Sequence, residues 1–149
     1  MRYNFTKNLS EVFYFMNELS AFQIGQKNDA YAKYFAGQSY LNVLSKDQVF
    51  IANVTFEPGC RNNWHVHHST NGGGQILIVT AGRGYYQEWG KAPRELHAGD
   101  VVNIPANVKH WHGAAPSEWF QHLSIEVPGE NNSNEWLEPV DKNFYEALK

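Results

Sequence analysis

The sequence is poor in the features that would tie it to several large functional classes. It has one cysteine, Cys60, in 149 residues, so no disulfide can form within the chain and the core must hold by packing. Charge is scarce as well: charged residues make up 18% of the chain, the net charge is −3, and no basic block occurs. A polyanion or an anionic membrane surface would meet no complementary patch, so neither nucleic acid nor membrane is an expected partner. No apolar run approaches the roughly 18 residues of a membrane span, and nothing near the start reads as a signal peptide, which makes the cytoplasm the expected location. Histidine is missing from the first 64 residues altogether. All seven, His65, His67, His68, His97, His110, His112 and His122, come after that stretch, and such a gathering points to a site.

What is present describes a folded globular chain. Hydrophobic residues reach 42% and aromatics 15%, so rings dominate the burial. The length suits one domain over residues 1–149, with a helix and arm in 1–47, a core in 48–128 and a tail in 129–149. Asn8 followed by Glu11 predicts a helix start, and Leu9, Phe13, Met16 and Leu19 recur at helical spacing. The aromatic stretch 31–44 suits an irregular arm or a short strand. From residue 48 the texture is β: runs at 49–58, 63–68, 75–80, 84–89, 94–105 and 119–128 are separated by turn residues such as Gly72-Gly73-Gly74, Gly82 to Gly84 and Ala98-Gly99-Asp100. Short strands at such spacing predict an antiparallel sandwich or barrel. Asp141 predicts the cap of a last short helix with Phe144, Tyr145 and Leu148 on its apolar side.

The segment "WHVHHSTNGGGQ" carries the chemistry. In a strand His65 and His67 share one face, and Val66 and His68 the other. A glycine tongue folding back as a hairpin would return Gln75 beside the two imidazoles, with Leu77 and Val79 on the same inner face and Ile76 and Ile78 in a second apolar layer. Farther on, "GDVVNIPANVKHWHG" brings His110 and His112 at period two, and His110 completes three imidazoles and an amide if its strand lies beside the first. A histidine-rich surface loop or a polar hairpin rim are the plain alternatives.

These residues resemble the cupins. Gly59, His65, His67, Gln75 and Gly82 match the first motif of that family, and Gly99, Pro105 and His110 the second. The sequence departs from the pattern in four places: Gln75 stands for the usual glutamate, Asn107 for a glycine, Ala114 for the final asparagine, and the gap from His67 to Gln75 is longer. The longer tongue leaves open whether His67 or His68 is the ligand. The resemblance implies an all-β double-stranded β-helix, or jelly-roll barrel. More closely, "GGQILIVTAGRG", "GDVVNIP" and "KHWHGAAP" are similar to small manganese-type cupins that include bacterial hydroxynitrile lyases, a group also associated with carboxymuconolactone decarboxylases. Carried over, the metal ligands are His65, His67, Gln75 and His110, the cofactor a divalent ion, manganese first and iron, zinc, nickel or cobalt as alternatives.

Four neutral donors would leave open coordination positions and an uncompensated cation, a strong Lewis acid suited to a developing oxyanion. His112 and His122 are the candidate catalytic acid or base, with the choice between them open, and a satisfied interior histidine is the plain reading of each. His122, Ser124 and Glu126 share one strand face and would line the cavity if that face is inward. The expected function is a metal-dependent C–C lyase of the hydroxynitrile lyase kind acting on a small oxygenated molecule; a dioxygenase, isomerase, decarboxylase or a non-catalytic binder are the alternatives. Trp64, Trp89, Trp111 and Trp119 are expected in the core or as pocket wall, Cys60 as an inert thiol, and Arg61, Asn62 and Asn63 as turn-holding residues. The run 75–80, apolar on both faces, must be covered on its outer side by a helix, an arm or another subunit, and the resemblance to cupins implies a homodimer paired through that face.

Overall fold

The computed structural model describes residues 10–11 and 20–149. Apart from Ser10 and Glu11, which are helical, the expected first helix lies outside the described residues. The arm resolves into β1 (Gln26–Lys27), a 3-10 helix (Asp29–Tyr34), β2 (Phe35–Ala36) and β3 (Ser39–Ser45). The barrel follows as β4 (Ile51–Phe56), β5 (Arg61–Asn62), β6 (His65–His68), β7 (Asn71–Gly72), β8 (Gln75–Glu88), β9 (Arg94–His97), β10 (Val101–Ile104), β11 (His110–Ala114) and β12 (Phe120–Glu126). The tail carries β13 (Gly129–Glu130), β14 (Ser133–Trp136) and a short helix α1 (Lys142–Glu146). All the pairings among the described strands are antiparallel, and the chain is all-β.

Strand β8 is the hinge of the architecture. The runs 75–80 and 84–89, expected as separate strands, are one strand of 14 residues. Its first half pairs with β12 and β10, and its second half with β11 and β9, so it passes from one wall of the barrel into the other. The expected turn at Gly82 to Gly84 is instead a bend within the strand. Gly82 has φ +75°, and a Cβ there would collide with the Trp119 carbonyl oxygen. Glycine therefore lets the strand change direction while both its edges stay hydrogen-bonded.

The second difference concerns the tongue. A β6–β8 hairpin was expected, yet β6 lies between β11 and β14, and the tongue strand β7 pairs with β13. Gly72, Gly73 and Gly74 all have positive φ, and a Cβ on Gly73 would come within 2.5 Å of the Ser69 Cβ. The glycines fold the tongue against the 128–132 segment, so it crosses between the walls without closing a hairpin.

Between the walls, Phe56, Leu77, Val79, Leu96, Val102, Ile104 and Phe120 form the buried core. Leu77 and Val79 face inward as expected, and Ile76 and Ile78 are half-buried on the outer face. A second cluster of Trp64, Tyr85, Trp111, Val140 and Tyr145 fastens the tail to the outside. Asp141 does cap α1, accepting from the Phe144 backbone N–H at 2.8 Å. Of the apolar side expected for this helix, Tyr145 is buried and donates to the Ala114 carbonyl, whereas Phe144 is exposed.

Candidate metal centre

His65 and His110 sit directly opposite each other in the β6–β11 register. Alternation along β6 adds His67 to the same face. The three imidazoles come together: one ligand nitrogen from each of His65, His67 and His110 lies within 4.8 Å of the others. His68 is on the other face of β6, its Nε2 2.7 Å from Glu135 Oε2. His67, not His68, therefore faces the other two histidines.

Each ring is oriented through Nδ1. That atom meets the Asn63 carbonyl at 2.8 Å in His65, the Val108 carbonyl at 2.9 Å in His110, and Asn134 Oδ1 at 2.9 Å in His67. A carbonyl oxygen only accepts, so Nδ1 carries the proton and Nε2 keeps its lone pair for the cluster. Gln75 is buried and donates from Nε2 to Ser124 Oγ at 2.5 Å. Its Oε1, together with Nε2 of His67 and Nε2 of His110, is buried with no hydrogen-bond partner among the described residues. Three orphaned acceptors in one place are what a cation would satisfy, since each otherwise costs about 1–3 kcal/mol. The donor set fits a divalent transition metal.

Burial also keeps the rings neutral. It lowers His65 well below the ordinary histidine value, reinforced by His110 and His67, and takes His110 down to about 4. His67 is lowered by burial as well, against the opposing pull of Asn134, the Glu126 carboxylate and the adjacent Gln75 side chain. Neutral imidazoles are the form a metal requires.

The cluster opens onto a cavity of about 150 Å³. Polar groups around it include Asn62, His112, His122, Ser124, Glu126 and Asn134, and the apolar wall includes Phe35, Leu41, Phe50, Val54, Phe56 and Trp136. Among the described residues, no lysine or arginine lines it. The face of β12 with His122, Ser124 and Glu126 is thus the inward one. His122 Nε2 and His112 Nδ1 are 3.1 Å apart. Asn62 Oδ1 accepts from the His112 backbone N–H at 2.9 Å, which turns its amide nitrogen toward the His112 ring, 3.2 Å from Nε2. Burial takes His122 to about 4 and His112 well below the ordinary value, with the neighbouring histidines adding to the latter.

Asn62 and Asn63 do more than hold a turn: one touches His112 and the other's carbonyl orients His65. Of the tryptophans expected as core or wall, Trp64 and Trp111 are buried in the tail-side core cluster and Trp119 packs on Tyr40, whereas Trp89 is 59% exposed, and none of the four lines the cavity. Trp136 supplies the indole instead, 4.6 Å from the His65 ring. Asn134 and Trp136 were not singled out, because "SNEW" alternates like any edge strand and nothing in it names its partner. Lastly, Asn107, which replaces a motif glycine, has φ 67° and uses its side chain, accepting from Ser69 N at 3.0 Å and donating to Ser69 O at 2.9 Å. Asparagine tolerates that conformation. Cys60 is buried and its thiol is pushed up to about 12 by burial and Glu57, consistent with an inert residue.

Comparison with known proteins bears on the fold and the family. A family model described as Cupin domain matches residues 52–125. An (R)-mandelonitrile lyase from Granulicella tundricola is 47% identical over 94 residues, 63% of this chain and 69% of that protein. A cupin-like protein from Thermotoga maritima superposes with a TM-score of 0.74 at 41% identity, covering 86% of this chain and 96% of its own. A cupin 2 conserved barrel domain protein from Rhodopseudomonas palustris shares the fold at a TM-score of 0.60 and 15% identity, over 74% of each chain.

Proposed function

The chain belongs to the cupin family, and on that premise we propose that it is a metal-dependent lyase that breaks a C–C bond beside a hydroxyl, with a cyanohydrin of the mandelonitrile type as substrate. The observation that carries this reading is the meeting of three imidazoles with the unpartnered Gln75 oxygen at the base of an apolar-walled cavity that also holds a histidine pair. The likeness to a mandelonitrile lyase points the same way.

His65, His67, His110 and Gln75 would hold the ion, manganese by our reading, with iron, zinc, nickel or cobalt compatible with the same donors. When bound, a divalent ion supplies Lewis acidity toward the substrate oxygen. The chain's own residues do the rest. Phe35, Phe50, Phe56 and Trp136 offer an aryl group apolar surface. The missing lysine and arginine favour an uncharged substrate over an acid or a phosphate. The His112–His122 pair takes the hydroxyl proton, the hydroxyl oxygen becomes a carbonyl as the C–CN bond breaks, and the electron pair leaves with cyanide. The same pair returns the proton to cyanide, so the products are an aldehyde and hydrogen cyanide. Asn62 holds His112 in place for this step.

The test is direct. Manganese-loaded protein given mandelonitrile is expected to release benzaldehyde above a metal-free control, and His65→Ala and His110→Ala are expected to lose both the metal and the release. Bound metal without benzaldehyde would overturn the substrate and leave the metal centre standing.

We also place the activity in the cytoplasm, in keeping with a lone buried thiol. A homodimer through the outer face bearing Ile76, Ile78, Val101, Leu123 and Ile125 belongs to the same proposal, because Val101 is 46% exposed there. A monomer mass by light scattering at micromolar concentration would remove it.

A further inference from the structure

Strand β14 runs beside β6 in register, with Asn134 opposite His67 and Trp136 opposite His65. Consecutive residues of β14 each engage a histidine of β6. Trp136 lies over the His65 ring, with centroids 4.6 Å apart, and is itself backed by Tyr34 at 4.7 Å and 5°. Glu135, on the opposite face, holds His68 Nε2 at 2.7 Å. Asn134 Oδ1 meets His67 Nδ1 at 2.9 Å. The three rings of the cluster are not oriented alike. His65 and His110 each use the carbonyl two residues earlier on their own segment, so their orientation is made locally. His67 depends on a side chain 67 residues away. That side chain lies beyond residue 125, where the family match ends.

We propose that β14 is a strap that completes the metal centre: Asn134 presents His67 to the ion, whereas Glu135 engages His68 on the face away from the cluster. The inference rests on the metal centre proposed above. Asn134 is a positioning residue, since it touches the ligand's far nitrogen and not the cluster. An acceptor at Nδ1 keeps the proton there and leaves the Nε2 lone pair toward His65 and His110. Without that acceptor the ring is free to rotate or to carry its proton on Nε2, which would place a donor where the cation belongs.

Metal affinity, measured without substrate on the purified full chain by competition between manganese and a chromophoric chelator, tests this. Asn134→Ala is expected to weaken binding about 10–100-fold, the usual cost of losing a partner behind a ligating histidine. Asn134→Asp, which can only accept, is expected to bind at least as tightly as the parent. Glu135→Ala, on the other face of the same strand, is expected to leave affinity unchanged. The strap is overturned if Asn134→Ala binds like the parent, if Asn134→Asp binds more weakly, or if Glu135→Ala loses as much as Asn134→Ala, since β14 would then be only a cover. Should Asn134→Ala fail to fold, the Asp and Glu135 variants still decide. A parent protein that takes up no metal would remove the metal centre itself, an outcome distinct from a parent that binds and an Asn134→Ala variant that binds equally well.

Discussion

The inward face of β8 runs through two unlike halves of one interior. At Leu77 and Val79 it enters a filled region where Leu77, Leu96 and Phe120 are fully buried and apolar atoms meet apolar atoms. One step earlier on that face, Gln75 borders a hollow where histidine, asparagine and serine face an apolar wall that includes Phe35, Phe56 and Trp136. The filled half gains on the order of 25 cal/mol for each Å² of apolar surface removed from water. The hollow half gives up stability, because its orphaned acceptors cost about 1–3 kcal/mol each until a cation answers them. The difference is one of chemistry within a single interior: one half is filled by apolar contact, and the other keeps polar atoms without partners.

The comparison breaks most sharply at His122. The ring lies among Phe56, Phe120 and His112, with centroids 4.8–5.5 Å away, so phenylalanine keeps a ring in that space while removing the proposed proton carrier. His122→Phe is expected to keep its metal and to lose about 10²–10⁴ in kcat on mandelonitrile, the range for a positioned acid or base. A variant that turns over normally would mean the hollow half needs no histidine there. Leu77→Ala tests the other half. It is expected to lower unfolding free energy by about 2–5 kcal/mol in urea titrations while the metal stoichiometry stays the same. If the metal were lost as well, the two halves would not be separable.

Much of this division is legible in the sequence, for reasons of period. Strand alternation puts His65 with His67 and Gln75 with Leu77 and Val79, whatever the topology. What alternation cannot tell is which strand lies next to which. Closeness in sequence favours a hairpin between β6 and β8, yet β6 pairs with β11 and β14, the latter separated from it by 64 residues between the paired His68 and Ser133. Asn134 and Trp136 were therefore invisible as parts of the site. Gly82 reads as a turn because positive φ is the usual reason for a glycine, and a bend inside a continuous strand needs the same conformation.

Acid should erode the hollow half selectively. His110 and His122 titrate near 4 in the folded chain because burial penalises the cation, whereas an unfolded histidine titrates near 6.5. Between those values the unfolded chain binds more protons, so the contribution is complete above about pH 6.5 and is lost progressively as pH falls toward 4. At pH 5.5 the expected loss for the metal-free protein is on the order of 1 kcal/mol per histidine, read as a lower urea midpoint than at pH 7.5. His122→Phe should show a smaller drop than the parent. An equal drop would assign the acid response to other groups.

The finest test lies at Asn107, between the tongue and the loop that leads to His110. Its backbone N–H reaches the His67 carbonyl at 2.8 Å, and its side chain ties both polar atoms of the Ser69 backbone, so one residue fixes the tongue to the loop that carries His110. Asn107→Gly removes the side-chain ties but relieves the left-handed backbone at φ 67°, and the two effects nearly offset. The expected change in stability is within about 1 kcal/mol. Asn107→Ala loses the same ties and keeps the strain, so it should melt below the glycine variant. If alanine melted no lower than glycine, backbone conformation would not be what asparagine supplies at this position, and its two hydrogen bonds to Ser69 would have to account for it alone.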